Sequence, residues 1–262
     1  MTLLRALDAF AYSSALVACA AVALAAASSR ALGFAPEPAV LALAFCGTVV
    51  VYCVDRVRDL GRDLETSPLR SSFVAAHRRT LLAAALLAAG GALAAGPSAG
   101  ARAVGVAGGV AVFGFAHRRL KRWMWLKPFY LSGSWAAVCV GLPVAAASES
   151  HRLDPARIAL VTAIVVACVH ANVILSNLRD AEGLAARFGE RRARSAAALL
   201  CAAAGALALI GPREVLPLVA LPLAMGAAVG AFRPGERFGA LAADGALLGG
   251  AIAAIALDLG AR

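Results

Sequence analysis

Apolar residues in this chain come in blocks, near residues 8–29, 38–54, 80–96, 102–117, 126–147, 156–176, 195–211, 214–231 and 240–258. A bilayer core takes roughly 17–25 such residues as a helix, the one open-chain structure that satisfies every backbone polar group within its own segment. Nine blocks of this kind predict an all-α, polytopic membrane protein. Those at 80–96, 102–117 and 195–211 lie near the short limit. At 61% hydrophobic residues the chain is well beyond the roughly 45–50% of soluble domains. The block at 8–29 is long and lacks a clear cleavage site, so it reads as a span and not as a removable signal. Nothing marks a soluble module, and residues 1–262 are expected to form one transmembrane domain.

The 25 basic residues divide unevenly between the loops. The N-terminus and the even-numbered loops hold 19 of them, and the opposite side holds Arg30, Arg102, Arg152, Arg157, Arg213 and Arg262. Lys and Arg collect on the cytoplasmic side, which places the N-terminus inside and the C-terminus outside. The net charge of +10 then reflects topology and attraction to anionic lipid, not nucleic-acid binding. No CxxC spacing occurs among the six cysteines, which read as small packing residues in helices rich in Ala and Gly.

The second block leaves the hydrocarbon through "VVVYCVDRVRD", residues 49–59. Asp55 and Asp59 are separated by about 40° around a helix axis, and Tyr52 and Asp63 extend the same polar stripe. The sixth block ends similarly in "VHANVILSNLRDAEG", where His170, Asn177 and Asp180 share a face flanked by Arg179 and Glu182. Both stations lie at the basic ends of their spans. Carboxylates and an amide are hard oxygen ligands that suit Mg²⁺, an ion commonly held by one or two carboxylates plus substrate phosphates. Two such stations facing each other would clamp a diphosphate, with Arg56, Arg179 and Lys127 balancing its charge. An apolar tail would then lie among the helices, which describes an isoprenyl diphosphate.

In these motifs the chain resembles the UbiA-type intramembrane prenyltransferase superfamily. "VYCVDRVRD" matches the DxxxD part of that family's first motif, and "SNLRDAEGL" is similar to the second motif of its dihydroxynaphthoate prenyltransferase branch. "RLKRWMWLKPFYLSGSWA", residues 119–136, is similar to the family's basic loop and fifth helix. The resemblance implies nine helices around a central cavity and Mg²⁺-dependent transfer of a prenyl group to a lipophilic or aromatic acceptor. It implies Asp55, Asp59 and Asp180 as catalytic residues, and the same three with Asn177 as metal ligands. Tyr52, Arg56, Lys127, Asn177, Arg179 and Tyr130 are the implied substrate-binding residues. Val51 and Tyr52 stand where the family has Asn-Asp, and Leu184 where it has a last Asp. The expected setting is a bacterial-type inner membrane, with membrane lipid as the only other partner.

Other polar residues admit plainer readings. Asp63 and Glu182 read as solvated loop residues, and His77 with Arg78 and Arg79 as part of a basic loop. Trp123, Trp125, Phe129 and Trp135 suit an interfacial belt or a cavity wall. His170 reads as hydrogen-bonded to a neighbouring helix, while Asp244 either pairs with another helix or lines the cavity. Two rivals share the scaffold: a terpene cyclase, and a non-catalytic lipid-binding or transport protein that has lost part of its metal site.

Overall fold

The computed structural model describes residues 3–64, 67–120, 127–147, 153–179 and 187–261, without the side chains of residues 62, 117–120 and 179. The described residues are almost wholly helical and contain no strand. In chain order the helices are α1 (Leu3–Tyr12), α2 (Ala15–Ala31), α3 (Pro38–Asp63), α4 (Pro68–Ala76), α5 (Arg78–Ala99) and α6 (Ala101–Leu120). They continue as α7 (Lys127–Ala136), α8 (Leu142–Ala146), α9 (Pro155–Arg179), α10 (Glu190–Ile210), α11 (Ala220–Gly230) and α12 (Asp244–Ala261). A π-helical stretch, Ala137–Gly141, joins α7 to α8, and a second, Phe238–Ala243, leads into α12.

Among the described residues, six helical stretches are long and apolar enough to cross a membrane, or seven when α1 and α2 count as one bent span. The chain is therefore a multi-pass integral membrane protein. The blocks at 102–117 and 214–231 form shorter apolar helices, Ala101–Ala116 and Leu216–Gly230. The block at 8–29 is not one straight span. It breaks at Ser13 and Ser14, where α1 meets α2 at 67° and Ser14 adopts a left-handed φ of 73°. Few non-glycine residues sit there. Arg56 secures the bend by donating to the carbonyls of Ala11 and Tyr12 at the end of α1, and Arg237 by a two-pronged pair with Asp8 at 3.0 Å.

Small side chains hold the bundle together. Ala20, Ala197, Ala204 and Ala251 are fully or almost fully buried where α2, α10 and α12 pack with α9. In lipid, where no hydrophobic effect drives helices together, such residues let backbones approach closely. Cys53, Cys139, Cys168 and Cys201 are buried free thiols that serve the same packing.

The loops sort into two ends. At one, Asp8 meets Arg237, Glu236 accepts from the N–H groups of Leu69 and Arg70, and Arg58 reaches the Phe115 carbonyl. At the other, Arg30 pairs with Asp258 at 3.0 Å and Arg157 with Glu214 at 3.6 Å. The first end is the one the basic loops share. Asp258 is only 8% exposed, so Asp258→Asn would strand the charge of Arg30 in a poorly solvated place. We expect that substitution to cost about 2 kcal/mol and to lower the thermal midpoint in detergent. An unchanged midpoint would show the pair to be dispensable.

Candidate functional site

The polar stripe of α3 faces inward because its opposite face is apolar: Val50, Val54, Val57 and Leu60 pack toward α5. That arrangement turns Thr48, Tyr52, Asp55, Arg56 and Asp63 toward a cavity of about 640 Å³ enclosed by α2, α3, α6, α7, α9 and the start of α12. Lys127, Tyr130 and Ser134, one face of α7, line it from across the bundle, and Asn172, Ser176 and Asn177 line it from α9. Leu43, Val110, Leu131, Leu142, Val173 and Leu247 make its apolar walls. The space is amphipathic. Asp55, Arg56, Asp63, Arg70, Lys127 and Glu236 gather at the end that the basic loops share, and Asp244 lines the cavity as well.

Several of these charges are already paired. Arg58 donates to Asp55 at 2.9 Å, and Arg70 to Asp63 at 2.7 Å. Asp63, expected as a solvated loop residue, instead stands on the cavity wall, because α3 continues one turn further and Arg70 folds back to meet it. Arg56 differs from them. It donates to the two α1 carbonyls and forms no ion pair among the described residues, so it brings a positive charge to the cavity wall.

Of the expected site residues, Tyr52, Asp55, Arg56, Lys127, Tyr130 and Asn177 line this one cavity. Asp59 keeps its place on the stripe, but it is 4% exposed, lies 4.0 Å from Arg58 Nε, and is not among the lining residues. Asp180 and the side chain of Arg179 lie outside the described residues, as do Glu182 and Leu184. His170 is bonded to a neighbouring helix: its Nδ1 is 3.4 Å from Ser132 Oγ, and Phe129 meets its ring edge-on. His77 stacks on Phe73, away from the cavity.

Asp244 does both things the sequence left open. It lines the cavity and accepts from Asn172 Nδ2 at 3.1 Å. Nearby, Trp135 Nε1 donates to the Tyr52 hydroxyl at 3.1 Å. Asn172, Arg70 and Glu236 carried no functional expectation. A buried amide in the apolar run of α9 was the available signal for Asn172, since intramembrane polar residues are costly and functional. For Arg70 and Glu236 the sequence offers only loop charges.

Oxygen donors suit Mg²⁺. Asp55 and Asn177 present a carboxylate and an amide from two helices to one cavity, oxygen donors of the kind Mg²⁺ takes when phosphate oxygens complete its shell. No group of three His, Cys, Asp or Glu assembles among the described residues, so they form no all-protein cage. The donor set fits an ion bound together with a phosphorylated substrate.

Fold and site together define a multi-pass membrane protein with an amphipathic internal chamber whose charged groups gather mainly at one end. No family model matches the chain, nor does any curated protein or solved structure.

Proposed function

We propose that the chain is a transferase that moves a prenyl group from an isoprenyl diphosphate to a lipophilic or aromatic acceptor. The reading includes the UbiA-type resemblance, a bacterial inner membrane, and an N-terminus on the cytoplasmic side. The observation that carries it is the cavity itself, which has polar residues from α3, α7 and α9 at one end and apolar walls behind them. A diphosphate suits the first and an isoprenoid chain the second. Arg56 and Lys127 bind and orient the phosphate oxygens, and Asp55 and Asn177 are the described residues that would hold Mg²⁺. The ion, when bound, neutralises charge on the departing diphosphate. The apolar walls exclude water from the allylic end of the donor, and Tyr52, Tyr130 and Trp135 offer ring faces and edges beside it.

The test is diphosphate release from farnesyl diphosphate by the purified protein in detergent, with Mg²⁺ and with a chelator. Release that depends on Mg²⁺ is expected. Arg56→Gln should raise the donor KM at least about tenfold, the effect of losing a charge-assisted hydrogen bond to phosphate. A wild-type protein that neither binds nor consumes the donor would refute the reading. The Asp55–Arg58 pair favours a second reading, a lipid-binding protein without catalysis, because it already occupies one carboxylate oxygen of Asp55. Donor binding without release would select it. A hydrocarbon or terpene alcohol formed with no acceptor present would select a cyclase.

A further inference from the structure

At the end that the basic loops share, α1 leaves the line of α2 at 67°. Its 10 residues, at about 1.5 Å each, make a rod of about 15 Å that advances only about 6 Å along α2 and runs about 14 Å sideways. The 17 residues of α2 reach the lower limit for crossing a bilayer core, so α1 is not needed to complete that span. The short helix has two distinct faces. Leu3, Leu7 and Phe10 fall within about 60° of one another around its axis, and all three are exposed. Arg5, Asp8 and Tyr12 fall on the opposite side. That side is the one the protein holds. Arg237 grips Asp8 with two nitrogens, the Tyr12 ring meets Phe73 of α4, and Ala11 and Tyr12 pack beside Ala240 and Leu241. Arg56 takes the carbonyls at the end of the helix. These contacts fix the roll of α1 and leave its apolar face turned away from the bundle.

We infer that α1 lies in the plane of the bilayer surface, with Leu3, Leu7 and Phe10 seated at the boundary between lipid headgroups and acyl chains. The bend itself sets the level. Only Ser13 and Ser14 separate α1 from the first turn of α2, so the helix stands where that span leaves the hydrocarbon. Its charge suits the same place. Arg5 on α1 and Arg233 in the segment before the second π-helical stretch are exposed at the basic end, where anionic headgroups attract them. A helix with large apolar side chains on one face and charges on the other binds in this plane, its apolar face about 5–10 Å into the headgroup and acyl boundary. A second copy of the chain is a poor occupant by comparison. Three side chains offer far less than the roughly 800 Å² per partner that a stable protein interface takes. The seat does not depend on the proposed reaction.

Depth-dependent quenching tests the seat on the full chain. Leu3→Trp and Phe10→Trp are made separately, and the emission each adds to the three native tryptophans is followed in vesicles of phosphatidylcholine and phosphatidylglycerol. The lipids carry a nitroxide either high on the acyl chain or near its end, and acrylamide, a neutral aqueous quencher, reports contact with water. At both positions the high nitroxide should quench at least about twofold more than the deep one, and acrylamide should quench little. The two positions should also report the same depth. A helix continuing across the bilayer would instead set them about 10 Å apart in depth, at about 1.5 Å per residue. Stronger quenching by the deep nitroxide, or unequal depths at the two positions, would make α1 part of a crossing span and overturn the inference. Quenching by acrylamide without quenching by lipid would overturn it by placing the face in water. Emission that no quencher reaches would do so by placing the face under protein. Each variant gives its own depth, so the test stands if one of them does not fold.

Discussion

Asparagine in place of Asp55 should lower Mg²⁺-dependent diphosphate release at least about a hundredfold, the scale of losing a metal-ligand or transition-state charge contact. Asp55 is the one expected metal-binding carboxylate that opens onto the cavity among the described residues. Asparagine keeps its size and one oxygen but removes the charge that would hold the cation. The fold should hardly notice. Asp55 and Arg58 are each 27% exposed and lie three residues apart on one helix, a setting in which an ion pair is worth about 0–1 kcal/mol. The measurement is therefore a pair: release of diphosphate from farnesyl diphosphate, and the thermal midpoint in detergent. Lost release with a midpoint close to that of the parent supports the assignment. Unchanged release would remove Asp55 from the metal site, and with it the reading of the charged mouth as a diphosphate clamp.

Sequence periodicity placed Tyr52, Asp55, Asp59 and Asp63 on one side of α3, and the opposite side is a run of valines and leucine that meets another helix. What periodicity cannot show is which residues of a stripe are covered. Asp59 lies between Asp55 and Asp63 around the axis, yet it is buried beside Arg58 while both of its neighbours on the stripe line the cavity. Coverage depends on side chains from other elements, and those come from far along the chain. The same holds for Asp244, whose partner Asn172 is 72 residues away. The bend at Ser14 escaped the sequence reading for a different reason. Two serines in an alanine-rich run look like ordinary small residues, and the break is fixed by Arg56 and Arg237 reaching back from α3 and from the segment before α12. Block length likewise gives only an upper limit on a helix. The block at 214–231 begins with a 3₁₀ turn, Leu216–Val219, which leaves α11 with 11 residues.

The largest loss of stability is expected at Gly250. A Cβ there would lie 2.8 Å from Leu221 Cα, 3.1 Å from the Ala220 carbonyl oxygen and 3.1 Å from Ala224 Cβ. Two of those atoms belong to backbone, so no side-chain rotation relieves the clash, and α12 must move away from α11. Gly250→Leu should cost roughly 3 kcal/mol or more, seen as a lower thermal midpoint or as loss of monodisperse protein on extraction. The neighbouring glycine supplies the control. A Cβ at Gly249 meets nothing within 4 Å, and Gly249→Ala should leave the midpoint unchanged or raise it slightly, since alanine costs less backbone entropy in a helix. Equal effects at both positions would show that helix propensity, and not the α11–α12 approach, sets the stability here. The consequence reaches the cavity, because α12 carries Asp244 and Leu247 on its wall. Gly250→Ala protein that still folds should therefore show a raised KM for farnesyl diphosphate, while Gly249→Ala keeps the parent's value.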